Sequence, residues 1–152
     1  MKNYRPAGVI LAGGKSSRMG VERKALLELG GKTLLARVVD RLRGQLEPLL
    51  LSGEGVTRDF DGFDLPVIPD LKPGHRGPLM GLCSALNYLE DSGHDNGLVR
   101  CPCEAPFIPD DLVQAMIDVG RSREKPLVVI SYEGVLQPTF SLWQKHDLPV
   151  IR

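Results

Sequence analysis

The residues that suggest chemistry most directly form a glycine-rich basic loop, LAGGKSSRMG, at positions 11–20. Its adjacent glycines, Gly13 and Gly14, let backbone N–H groups approach an anion closely, because no Cβ stands in the way. Arg18 and, a little further on, Lys24 add mobile positive charge. The segment therefore predicts a loop that binds phosphate groups.

Two common phosphate-binding motifs do not describe this loop. A Walker A sequence requires a glycine five residues before Gly14, and that position is Val9. A dinucleotide-binding fingerprint requires the spacing G-x-G-x-x-G and a helix directly after it, whereas the first amphipathic stretch begins only near Thr33. The plainer alternative, a glycine turn with solvated basic side chains, stays open at this point.

Two carboxylates follow short apolar runs further along the chain. Asp70 can hydrogen-bond a ribose, help to order a metal or simply cap a helix. Gly77 and Gly81 lie just beyond it and would let a flat base rest against the backbone. Glu104 follows the next run, and a hard cation such as Mg²⁺ takes carboxylate and phosphate oxygens. Glu104 is therefore the candidate metal ligand, with a solvated turn residue as the alternative.

Apolar runs alternate with amphipathic stretches, which is the pattern of strands interleaved with helices. Thr33 is the predicted N-cap of the first helix, and Asp110 or Asp111 that of the last. Spacing assigns the inner face of the middle helix to Leu79, Leu82, Cys83, Leu86 and Leu89, and that of the last helix to Leu112, Val113, Met116 and Val119. The predicted strands are 7–12, 49–51, 66–68, 97–101 and 126–132, and the predicted helices are 34–46, 79–93 and 112–120.

These elements predict an α/β fold, a single Rossmann-like domain over residues 1–152. Its sheet is expected to be mostly parallel with helices on both faces, and a hairpin over 126–142 adds one antiparallel pairing at an edge. In such a sheet ligands bind beyond the carboxyl ends of the strands, which is where the loop and both carboxylates fall.

Composition narrows the function classes. The chain has 152 residues, 42% hydrophobic and 25% charged, as is typical of one globular domain. Nineteen basic against nineteen acidic residues exclude a global field that would hold nucleic acid or an anionic membrane. No apolar run has signal-peptide or membrane-span length, so we expect a cytoplasmic location. Cys83, Cys101 and Cys103 are expected to be reduced, buried and without chemistry.

Taken together, these motifs resemble the molybdenum cofactor guanylyltransferase family, within the wider nucleotidyltransferase group that shares the loop L-A-G-G-x-x-x-R-M-G. The likeness runs from about Gly8 to about Leu142, and Gly77-Pro78-Leu79 together with the sequence CPCEAP at 101–106 narrows it to the guanylyl family. The resemblance implies a nucleotide-diphospho-sugar transferase-like fold. It also implies transfer of GMP from Mg²⁺-bound GTP to the terminal phosphate of molybdopterin, with release of pyrophosphate.

The resemblance further implies roles for individual residues. Arg18 and Lys24 would neutralise the triphosphate and are the candidate catalytic residues, and Glu104 would hold Mg²⁺ beside the nucleotide. The other nucleotide contacts would come from Leu11, Ala12, Gly13, Gly14, Lys24, Asp70, Gly77, Pro78 and Leu79. GTP and molybdopterin would be the substrates and proteins that deliver molybdopterin the candidate partners, with no role for nucleic acid or a membrane.

Three departures from the family pattern leave other activities open. Glu104 stands where the family has Asp, and its extra methylene moves the carboxylate outward by about 1.5 Å. Ser52 stands where relatives have Asn, which weakens or removes one nucleotide contact. The sequence ends before the helix, strand and Asn-x-Asn-x-Pro segment of relatives, so part of the molybdopterin side is expected to be missing. The alternatives are a cytidylyltransferase or other nucleotidyltransferase acting on a phosphate-bearing substrate, and a truncated, inactive relative that binds nucleotide.

Overall fold

A computed structural model describes residues 5–12, 26–52, 62–68, 78–93, 97–103, 105–125 and 127–144. The strands in these ranges are β1 Ala7–Leu11, β2 Glu28–Leu29, β3 Lys32–Thr33, β4 Leu49–Ser52, β5 Val67–Ile68, β6 Leu98–Pro102, β7 Leu127–Tyr132 and β8 Val135–Trp143. The helices are α1 Leu34–Leu42, α2 Pro78–Asp91 and α3 Leu112–Ser122.

Six of the strands form one sheet in the order β5-β4-β1-β6-β8-β7. The first four in this order are parallel to one another, as the alternating sequence pattern predicts. The hairpin of β7 and β8 is also confirmed at the sheet edge. The prediction of a single antiparallel pairing was wrong, because β8 lies between β7 and β6 and runs antiparallel to both.

The helices cover both faces of the sheet, as predicted. Helices α1 and α3 share one hydrophobic core with the face that carries Ile10 and Val99. Helix α2 shares the other core with the face that carries Val9 and Leu98. The alternation follows from strand geometry, because successive side chains point to opposite faces and a central strand must be apolar on both.

Helix α1 follows its sequence pattern closely. The Thr33 side-chain oxygen accepts a hydrogen bond from the Ala36 backbone N–H at 3.1 Å, which confirms the predicted N-cap. The helix ends at Leu42 and does not reach Leu46, which nevertheless stays buried. Before it lies the short hairpin of β2 and β3, which was not predicted; Gly30 and Gly31 both have positive φ in its turn, as a Gly-Gly hairpin allows.

The buried faces of the other two helices differ in part from prediction. In α2, Leu82, Leu86 and Leu89 are buried, as expected. Ala85 is buried although it was not predicted to be, and Cys83 is only partly buried although it was predicted to be buried. In α3, Val113 and Met116 are buried, whereas Val119 is 47% exposed and Ile117 takes its place in the core. Positions 113, 116, 117 and 120 follow the helical repeat more closely than the predicted set, and Leu112 is only partly buried.

The start of α3 is held by a different residue from the one predicted. Asp111 occupies the N-cap position, but its side chain makes no capping hydrogen bond. The Gln45 side-chain oxygen instead accepts from the Val113 backbone N–H at 3.0 Å. The helix ends at Ser122, two residues past the predicted stop at Gly120.

Two further expectations concern the cysteines and membranes. Cys101 and Cys103 are buried, as predicted, and burial raises the pKa of the Cys101 thiol, which keeps it protonated and unreactive. In the described part of the chain, every helix is too short or too polar to cross a bilayer.

Candidate active site

The carboxyl ends of four parallel strands lie side by side. Leu11 at the end of β1 pairs with Ser52 of β4 on one side and with Pro102 of β6 on the other. The Ala12 backbone N–H then donates to the Ser52 carbonyl oxygen at 2.9 Å, and Ser52 pairs with Ile68 of β5. The strands therefore end at one common edge, and the glycines of the predicted phosphate loop follow directly after Ala12 along the chain.

The sheet has its topological switch point between β1 and β6. From β1 the chain passes through α1 to β4 and then to β5 on one side, and α2 carries it back to β6 on the other. Such a switch point opens a crevice beyond the strand ends. Because α2 returns from the end of β5 to the start of β6, it begins at that same edge, at Pro78. The partial positive charge of a helix N-terminus there favours an anion in the crevice.

The structure brings the described site candidates to this edge. Leu11 is half-buried and Ala12 is buried at the end of β1, while Pro78 and Leu79 are the first two residues of α2. Ser52 is buried at the end of β4. The remaining predicted site residues lie outside the described residues: Gly13, Gly14, Arg18, Lys24, Asp70, Gly77 and Glu104.

A metal site was predicted at Glu104. Within the described ranges no three His, Cys, Asp or Glu side chains come together to hold a metal ion. Asp70 follows β5 and Glu104 follows β6 along the chain, and both strands end at the common edge. Carboxylate oxygens are hard donors, so this donor chemistry fits Mg²⁺.

Arg100 is a buried polar residue of the neighbouring strand β6, and no sequence motif gives it a role. It lies in the middle of β6, opposite Val9 of β1 and Ser141 of β8, and is only 5% exposed. One guanidinium nitrogen donates to the Pro138 carbonyl oxygen. The signal that could have found it is a single charge inside the apolar run GLVRC at positions 97–101.

The rest of the Arg100 guanidinium has no hydrogen-bond partner among the described residues. Its Nε and Nη1 atoms are buried and unsatisfied. Burial lowers the pKa of Arg100 from its ordinary value, although an arginine stays charged at neutral pH. Leaving a buried donor without a partner costs about 1–3 kcal/mol, and more when the group is charged.

Comparison with known proteins agrees with this architecture. The family model described as a MobA-like NTP transferase domain matches residues 8–152. Two molybdenum cofactor guanylyltransferases, from Rhodopseudomonas palustris (strain HaA2) and Mesorhizobium japonicum, are 39% and 37% identical over 91% and 90% of this chain. The chain spans 65% and 66% of the length of these two relatives.

Solved structures share the fold. Molybdopterin-guanine dinucleotide biosynthesis protein A from Archaeoglobus fulgidus superposes with a TM-score of 0.71 at 17% identity, over 95% of this chain and 70% of that one. A protein from Mycobacterium sp. strain JC1 gives a TM-score of 0.77 at 25% identity, over 97% and 74%. A Mycobacterium tuberculosis protein solved in complex with manganese gives 0.66 at 21% identity, also over 97% and 74%. The family match over residues 8–152, together with the strand order and the common carboxyl edge, shows that the chain belongs to the MobA-like NTP transferase domain family.

Proposed function

We propose that this chain transfers GMP from GTP to molybdopterin and releases pyrophosphate. The observation that carries the proposal is the position of Leu11 and Ala12. Leu11 ends β1 between Ser52 and Pro102, at the switch point, and Ala12 bonds to Ser52 and is followed along the chain by Gly13 and Gly14. The relatives that are 37–39% identical to this chain carry the corresponding name, molybdenum cofactor guanylyltransferase.

The chemistry requires positioning and charge neutralisation more than a protein nucleophile. An oxygen of the acceptor phosphate attacks the α-phosphorus of GTP, the bond from that phosphorus to the bridging oxygen breaks, and pyrophosphate leaves with the bonding electron pair. Backbone N–H groups of Gly13 and Gly14 would hold the phosphates, and Arg18 and Lys24 would neutralise the charge that builds up on them. We therefore expect no covalent enzyme intermediate.

The nucleoside half would lie on the β1, β4 and β5 side of the crevice. Asp70 would contact the ribose, and the turn Gly77-Pro78-Leu79 would lie near guanine at the start of α2. The choice of base therefore depends on this turn and not on the phosphate loop.

A divalent cation is part of the proposal. Glu104 would hold Mg²⁺, which supplies charge stabilisation for the phosphates when it is bound. The longer side chain of Glu, compared with Asp, is expected to weaken this role without abolishing it. We also propose that other proteins deliver molybdopterin to this chain and that the reaction takes place in the cytoplasm.

A turnover assay tests the reaction itself. Purified protein with GTP, Mg²⁺ and molybdopterin is expected to release pyrophosphate, and omission of molybdopterin or addition of EDTA is expected to stop the release. Release that requires CTP in place of GTP would support the cytidylyltransferase alternative. Nucleotide binding without any release would identify an inactive relative.

A further inference from the structure

The Arg100 side chain leans toward the site edge. Its guanidinium donates to the Pro138 carbonyl oxygen, and Pro138 lies three residues before Ser141, the partner of Arg100 on β8. Because β8 runs antiparallel to β6, that direction leads toward the carboxyl end of β6. The last residue of β6, Pro102, is two residues further on, about 7 Å along the strand. An extended arginine side chain spans such a distance.

The partners that Arg100 has in the described structure do not satisfy it. Its bond to Pro138 uses one nitrogen, while Nε and Nη1 are buried with no partner among the described residues. An unpaired buried cation opposes folding, so an anion that pairs with it gains more than the same anion would gain from an exposed arginine. The Nε and Nη1 donors therefore remain for an anion that reaches the guanidinium from the strand edge.

The position of Arg100 on the sheet indicates which anion pairs with its guanidinium. Apart from Glu104, the candidate nucleotide contacts follow β1 and β5 or lie at the start of α2, on the β5-β4-β1 half of the sheet. Glu104, the candidate metal ligand, follows β6. Arg100 faces the other half, between β6 and β8. In an in-line transfer the attacking group stands opposite the leaving pyrophosphate. The acceptor phosphate therefore has its place on the half of the crevice that Arg100 faces.

We propose that Arg100 binds the terminal phosphate of the acceptor substrate. The inference rests on the proposed function, because it takes the other half of the crevice to be the nucleotide site. Arg100 would then bind the phosphomonoester of the acceptor and not the triphosphate of GTP. Pro138, at the irregular pairing between β7 and β8, holds the guanidinium near that position through its carbonyl oxygen.

The test compares Arg100→Met, which keeps the length and removes the charge, with Arg100→Lys, which keeps the charge and removes the planar donors. Arg41→Met is the matched control, because Arg41 is exposed and pairs with Asp110 at 2.9 Å on the α1 and α3 side. Melting temperatures are measured with phenyl phosphate, with pyrophosphate and with GTP at constant ionic strength. Phenyl phosphate stands in for the acceptor, and the other two probes report the nucleotide side.

Arg100→Met is expected to lose the rise in melting temperature that phenyl phosphate gives the unmodified protein, which corresponds to at least tenfold weaker binding. Its affinity for GTP is expected to stay within about twofold, and Arg41→Met is expected to behave like the unmodified protein. Without ligand, Arg100→Met is expected to melt no lower than the unmodified protein, because it removes an unsatisfied buried charge. Arg100→Lys is expected to retain part of the phenyl phosphate response.

Three results would overturn the inference. A phenyl phosphate response that survives in Arg100→Met, with a lower melting temperature, would show that the guanidinium only supports the β8 backbone. Loss of the pyrophosphate and GTP responses instead would assign Arg100 to the nucleotide. No phenyl phosphate response in the unmodified protein would also reject the site. Failure of GTP to bind would count against the proposed function, whereas the phenyl phosphate comparison would still decide whether Arg100 binds a phosphomonoester.

Discussion

The Gln45 side-chain oxygen accepts a hydrogen bond from the Val113 backbone N–H at 3.0 Å, and its amide nitrogen donates to the Pro109 carbonyl oxygen at 3.0 Å. The Gln45 side chain, which follows α1, thereby bonds to a backbone N–H in the first turn of α3 and to a carbonyl oxygen in the loop before it. The helix has no side-chain cap of its own, so Gln45 fixes how α3 sits on the sheet.

Replacing Gln45 with Ala is expected to lower the free energy of unfolding by about 1–2 kcal/mol, because the N–H of Val113 loses its partner. Gln114→Ala is the matched control, since Gln114 is exposed and its hydrogen bond in the described structure stays within α3, to Asp118. Urea unfolding of both variants measures the difference. Equal stability of the two variants would contradict the capping role.

Gly8 of β1 packs against Leu46 and Leu49, which follow α1. A Cβ on Gly8 would collide with Leu46 Cδ1 and lie 2.9 Å from Leu49 Cδ1 and 3.2 Å from Leu46 Cβ. Gly8→Ala is therefore expected to lower the free energy of unfolding by about 1–3 kcal/mol through overpacking. Gly44→Ala is the control, because a Cβ there meets nothing within 4 Å. A Gly8→Ala variant as stable as Gly44→Ala in the same urea titration would show that the core yields easily.

Lys24 and Asp70 test the assignment of the nucleotide site. Lys24→Ala and Asp70→Ala are each expected to weaken GTP binding by at least tenfold, the loss of one charge-assisted hydrogen bond, with melting temperatures unchanged. Lys32→Ala and Asp118→Ala are the matched controls, since Lys32 pairs with Asp40 on the surface and Asp118 accepts from Gln114 within α3. Calorimetric titration gives the affinities. Unchanged affinity in both site variants would reject the assignment.

Much of the fold could be predicted because the strands and α1 carry strong local patterns. The apolar run of β1 and the Thr33 cap follow from neighbouring residues alone. The errors arise where distant residues decide the structure. Asp110 or Asp111 was the local choice for a cap, but Gln45, 68 positions before Val113, bonds to the Val113 N–H in its place. The position of β8 between β6 and β7 likewise depends on pairing across the sheet.

The candidate site was predicted only in the part that local motifs describe. The glycine-rich loop predicted a phosphate site, and the structure places Leu11 and Ala12 at the common edge. Arg100 was missed, because a lone charge within a strand has no motif of its own. Its relation to Pro138 becomes visible only when β8 is paired beside β6.

The central claim is that the crevice at the end of β1 binds a guanine nucleotide. Calorimetric titration of the protein with GTP, CTP, ATP and UTP in the presence of Mg²⁺ tests it most directly, because it does not require the unstable pterin. GTP is expected to bind at least tenfold more tightly than the other three nucleotides. A preference for CTP would support the cytidylyltransferase alternative instead. No binding of any nucleotide would contradict the claim that this crevice binds a guanine nucleotide.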